Sequence, residues 1–108
     1  MHVKVELWMS MGKALGEGFQ SPSEMVSRIG MSVEEGTTLK KLFDRLAEKY
    51  PPIAGKIFDR KKEDFYPNLT VLVTSEGRIQ SFLDIPDING RILKDGDQIK
   101  VLPLYAGG

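Results

Sequence analysis

Only one stretch of this chain carries the period of an α-helix, and it is surrounded by strand and turn patterns. Between Thr37 and Tyr50 the apolar residues Leu39, Leu42, Phe43, Leu46, Ala47 and Tyr50 recur three and four apart, on one face of a helix. Thr37 is the expected N-cap. Pro51 and Pro52, which have no N–H to continue the ladder, are the expected stop. Lys40 and Lys41 in the first turn oppose the helix dipole and cost a little stability. A single apolar helix face needs another apolar surface to cover it.

The rest of the chain supplies that surface as strands. His2 to Trp8 places Val3, Val5 and Leu7 on one side and His2, Lys4 and Glu6 on the other, the alternation of a half-buried strand. Arg28 to Val33 alternates again through Ile29, Met31 and Val33 and is expected to pair with the first strand. The connection over 10–27, with Gly12, Gly16, Gly18, Ser21, Pro22 and Ser23, reads as a flexible loop. Residues 53–67 lack clean periodicity and read as a loop with short strand or turn pieces. Asn68 to Thr74 holds the run Leu69, Thr70, Val71, Leu72, Val73 of a buried strand, and a short strand follows around Arg78 to Phe82. Dense turn residues lead to a last strand from Gln98 to Leu102, with Ile99 and Val101 facing the core. Pro103 ends that strand before an extended tail over 103–108. The expectation is one α+β domain over 1–108, a mixed sheet of about four to five strands on one main helix. A ferredoxin-like split arrangement needs a second helix, and only 53–67 or 83–93 leaves room for one.

Composition narrows the function classes. The 15 basic and 15 acidic residues cancel, so no bulk field draws this chain to nucleic acid or to an anionic membrane. Without cysteine it forms no disulfide, no thiolate metal site and no persulfide of its own. No apolar run approaches the length of a membrane span and the first residues do not resemble a leader, so the expected location is cytoplasmic. His2, the lone histidine, sits on the polar side of its strand, and Gly12, Lys13, Gly16 and Gly18 miss the spacing of a phosphate loop. Asp95 and Asp97 flank Gly96 and read as turn residues bonding their own backbone, in preference to a catalytic carboxylate pair. Arg60, Lys61 and Lys62 are balanced by Glu63 and Asp64 and read as a solvated loop.

The most informative residues are Gly107 and Gly108, since background usage places Gly-Gly at a given position in roughly one case in two hundred. Glycine has no Cβ, so a narrow tunnel can close around such a tail. Its context is the string L-K-D-G-D-Q-I-K-V-L-P-L-Y-A-G-G from Leu93 to Gly108. This string resembles the end of the MoaD/ThiS sulfur-carrier family, which includes the small subunit of molybdopterin synthase. The match rests on Leu93, Asp95, Gly96, Asp97, Ile99, Val101, Pro103, Ala106, Gly107 and Gly108. Leu104 and Tyr105 stand where the molybdopterin branch commonly has a second proline and a valine.

The resemblance implies a ubiquitin-like β-grasp fold and a sulfur carrier instead of an enzyme. Gly108 is the implied site of adenylation and thiocarboxylate formation, and Ala106, Gly107 and Gly108 are the residues threaded into partner active sites. The implied partners are a ubiquitin-activating-type adenylating enzyme that consumes ATP, a sulfur donor such as a cysteine desulfurase or rhodanese-like protein, and a large synthase subunit. No cofactor is expected to stay bound. Molybdopterin synthesis is the foremost implied pathway, with a thiamine-type carrier or a ubiquitin-like protein modifier as the alternative. A third reading is a β-grasp interaction module with an inert tail. Leu102, Leu104 and Tyr105 are the candidate partner contacts beside the tail.

Overall fold

The computed structural model describes residues 1–9, 18–23, 25–81 and 87–103. Strand β1 (His2–Leu7) pairs antiparallel with β3 (Val26–Ser32), which carries β2 (Gln20–Ser23) on its outer edge. On the other side β1 runs parallel to β8 (Gln98–Pro103), which pairs antiparallel with β6 (Leu69–Ser75), followed by β7 (Arg78–Gln80). The sheet is therefore mixed and six-stranded, in the order β2-β3-β1-β8-β6-β7. The register lines Ile29, Val5, Ile99 and Val73 into one inward row across four strands, with Val101, Leu7 and Val71 in the next. These are the apolar positions of each alternating segment, and a slip of one residue would turn a whole set outward.

The helix covering that face is α1 (Leu39–Lys49), with Leu39, Leu42, Phe43, Leu46 and Ala47 buried. Its N-cap is Thr38 and not Thr37: the Thr38 Oγ1 accepts from the Lys41 N–H at 3.2 Å. Thr37 turns the other way, donating its hydroxyl to the Glu34 carbonyl at 2.7 Å. Pro51 and Pro52 do end α1, but they also open a second short helix, α2 (Pro51–Lys56), where first-turn residues need no N–H donor.

Segment 53–67, read from sequence as a loop with short pieces, holds most of α2 and a hairpin of β4 (Phe58–Asp59) and β5 (Asp64–Phe65). Its isolated apolar residues each make one anchor. Ile53, Ile57 and Phe58 are fully buried, and Phe65 stacks edge-on against Phe43 and Phe58 with ring centroids 4.7 and 5.2 Å away. The Asp59 carboxylate accepts from the N–H groups of Lys61 and Lys62, and Arg60 reaches Asp44 of α1 at 3.0 Å. The basic run is thus a solvated turn, as its charge balance predicts. The second helix is a single short segment packed beside α1, so it does not create the split arrangement.

One strand more than expected enters from the span 10–27. Gln20–Ser23 forms β2, and β3 already begins at Val26. An edge position suits Pro22, which has no ladder donor to offer. Residues 10–17 and 24 lie outside the described residues, as does Phe82. No helix among the described residues is long and apolar enough to cross a membrane. Replacing Thr38 by Ala is expected to lower stability by about 1 kcal/mol, the usual cost of an N-cap, measured by urea unfolding.

Candidate functional site

The string that carries the family resemblance begins with a turn, and the structure shows what each of its polar residues does. Asp97 is 1% exposed, and its Oδ2 accepts from the Lys94 N–H at 2.9 Å. Gly96 adopts φ +85°, a conformation that strains any residue with a Cβ. Its N–H donates to the His2 carbonyl at 2.8 Å, and the Asp95 Oδ1 accepts from the His2 N–H at 2.8 Å. Leu93, buried at the base of the turn, donates its N–H to the Thr37 carbonyl. The two aspartates therefore hold backbone and are not a catalytic pair, in line with their reading as turn residues.

From this turn β8 runs between β1 and β6, paired on both sides. Its far end is held by Leu102 opposite Thr70, Pro103 opposite Leu69, and the Trp8 N–H on the Val101 carbonyl at 2.8 Å. Pro103 was expected to stop the strand and instead is its last paired residue. Leu102 is half-buried and, by alternation with the buried Val101, faces away from the helices. Leu104, Tyr105, Ala106, Gly107 and Gly108 lie outside the described residues, so the structure fixes where the tail departs and nothing beyond Pro103.

Two surfaces meet at that departure point. On the helix side, a groove of about 530 Å³ is lined by Met9, Met25, Gly55, Lys56, Tyr66, Asn68, Leu69 and Pro103. Met25 is strongly exposed there, and the Tyr66 hydroxyl is held by the Ala54 carbonyl at 2.7 Å. On the open face of the sheet, Arg28, Glu6 and Lys100 follow one another across β3, β1 and β8. Arg28 pairs with Glu6 at 3.0 Å, Glu6 accepts from the Trp8 Nε1–H at 2.9 Å, and the Lys100 ammonium sits 5.2 Å from the Trp8 ring centroid. This ladder orients an exposed tryptophan next to Leu102.

Of the predicted site residues, Leu102 is thus placed beside the tail's departure point. Trp8, Lys100, Met25 and Tyr66 were not singled out from the sequence. The signal available was Trp8 itself, a large aromatic on the polar side of an alternating strand. Among the described residues no cluster of histidine or acidic side chains is arranged to hold a metal ion.

No protein-family model matches the chain, and no curated protein matches it. Solved structures do match. SAMP1 from Haloferax volcanii, a small archaeal modifier protein, superposes with a TM-score of 0.65 at 18% identity over 100% of both chains. Small archaeal modifier protein 1 from Methanosarcina acetivorans gives a TM-score of 0.64 at 23% identity, over 99% of this chain and 96% of that one. A Pyrococcus furiosus protein described as molybdopterin converting factor subunit 1 gives 0.60 at 18% identity, over 97% and 99%. The fold is the ubiquitin-like β-grasp. The expectation attached to the Leu93 to Gly108 string is met at the level of the fold, with β2 as an added edge strand.

In this β-grasp domain the buried Asp97 is the polar residue with most to lose. Asp97→Ala leaves the Lys94 N–H without its acceptor and the Arg91 guanidinium without the carboxylate 4.0 Å away, and is expected to cost about 2 to 3 kcal/mol. Gly96→Ala meets no neighbouring atom, so only the left-handed backbone opposes it, at about 1 kcal/mol. Urea unfolding of both variants checks the order.

Proposed function

We propose that this chain is a ubiquitin-like sulfur carrier whose reactive group is the carboxylate of Gly108. The observation that carries the reading is the placement of β8. A strand paired with β1 as far as Val101 and with β6 as far as Pro103 presents the five residues that follow, and fully extended they reach at most about 17 Å. That suffices to enter a partner's active site while the body of the domain stays outside. Ala106, Gly107 and Gly108 are the segment threaded, since small residues let the partner's walls approach the backbone.

The chemistry belongs to the partners. An adenylating enzyme of the ubiquitin-activating type binds ATP, and a Gly108 carboxylate oxygen attacks its α-phosphorus and expels pyrophosphate. The resulting acyl-adenylate has AMP as leaving group. A donor supplying a sulfide equivalent attacks the acyl carbon, AMP departs, and a thiocarboxylate remains at Gly108. A synthase subunit then accepts that sulfur in cofactor biosynthesis. The name of the Pyrococcus furiosus neighbour favours molybdopterin as the acceptor. The domain acts as co-substrate, with Leu102, Leu104 and Tyr105 contacting the partner body beside the tail and Trp8 adding an aromatic anchor. Such activation and transfer occur in the cytoplasm.

A second reading has a specific observation behind it, because two of the structural neighbours are named as modifiers. In that case the activated Gly108 ends in an isopeptide bond to a lysine of another protein. Intact mass spectrometry of the untagged chain from its native host separates the two. The carrier predicts a mature chain ending at Gly108 with a fraction gaining the mass of one oxygen exchanged for one sulfur, absent when Gly107 and Gly108 are deleted. Larger covalent conjugates without that gain would decide for the modifier.

A charge placed in the contact surface tests the docking. Leu102→Glu is expected to leave stability within about 1 kcal/mol, because the residue is only half-buried on the open face. It is expected to weaken binding to the adenylating enzyme about tenfold or more, by calorimetry.

A further inference from the structure

We propose that the end of the sheet opposite Pro103 carries an oxyanion site that takes a phosphate-type group. The β6–β7 turn and the loop leading into β8 enclose a groove of about 530 Å³, lined by Ser75, Glu76, Arg78, Gln80, Arg91 and Lys94. Two donors in it are buried and unused among the described residues. Ser75 is 7% exposed and its Oγ has no hydrogen-bond partner there; the Arg91 side chain is 11% exposed and its Nη1 has none. Native proteins rarely leave such groups unpaired, because the desolvation cost is not returned until an acceptor arrives.

The surrounding charges favour an anion as that acceptor. Asp97 lies behind Arg91, with its Oδ2 at 4.0 Å from Nη2, too far for a hydrogen bond, and it is already engaged by the Lys94 N–H. The guanidinium therefore keeps donors for a ligand. Arg78 stands directly opposite Ser75 in the β6–β7 register, so both side chains share one face, and no ion pair occupies Arg78 among the described residues. Among the described residues the Lys94 ammonium is held by Glu76 at 3.6 Å, an exposed pair that gives up little when the ammonium turns to a ligand. Three cations against Glu76 and the partly engaged Asp97 leave the groove net positive. Two guanidinium forks, an ammonium and a hydroxyl converging from different sides suit a tetrahedral dianion, whereas a single carboxylate would engage one fork.

Backbone amide NMR of the full chain, titrated with inorganic phosphate and separately with AMP against chloride at matched ionic strength, tests the site. Saturable shifts confined to Ser75–Gln80 and Arg91–Lys94 are expected, with affinity reduced about tenfold in Arg78→Gln and also reduced in Ser75→Ala. Both variants keep the fold contacts that an Arg91 substitution would disturb. Tighter binding of AMP than of phosphate would assign the group to a nucleotide; equal binding would assign it to phosphate alone. Shifts that chloride reproduces, affinity indifferent to Arg78→Gln, or a response to an acidic peptide but not to either phosphate compound would overturn the proposal.

Discussion

A buried carboxylate at the start of β8 sets the geometry on which the rest of the domain depends. Antiparallel neighbours can inherit their register from a hairpin, but the parallel pair β1 and β8 has no short connection to do so. Here the register is set by the turn before β8. Asp97 fixes the turn internally, Gly96 and Asp95 grip both backbone groups of His2 at the start of β1, and Leu93 ties it to the residue preceding the α1 cap. One turn of five residues thereby positions two strands and a helix, and an error there would displace the whole inward row that α1 covers.

Much of this was legible before the structure, and what was not has identifiable causes. Alternation assigned the correct face to the apolar residues of β1 and β8, because a sheet covered on one side leaves that pattern plainly visible. The continuous apolar run of β6 instead read as a wholly buried strand, and of its apolar residues only the alternate Val71 and Val73 are buried. Thr37 and Thr38 both precede Leu39 and both are good caps. Only the long-range bond from Leu93 to the Thr37 carbonyl, with the Thr37 hydroxyl turned back to Glu34, separates them. A helix as short as α2 cannot display a period, and Gln20–Ser23 has no apolar alternation, since it is held by backbone pairing at an edge.

The candidate site was legible as a string of residues but not as a surface. Leu93 to Gly108 carried the resemblance on identity alone, and the tail residues it emphasised lie beyond the last described residue. What the string could not show is the company kept by the end of β8. Trp8 and Lys100 are remote in sequence and meet only because β1 and β8 are parallel and in that register. Side-chain meetings across a parallel pair belong to tertiary structure, and no local pattern announces them.

The adjacency of β1 and β8 also orders events in time. Val5 cannot find Ile99 until nearly all of the described chain has been made, so the inward row closes late and over a long loop. Until it closes, β1 and β6 each have an edge without a neighbour. The strand that fills this gap is the same one that leads into the tail. A chain that offers a correctly aimed tail has, by construction, already completed its core, so a partner gripping both the tail and the open sheet face beside it would select finished molecules over half-folded ones.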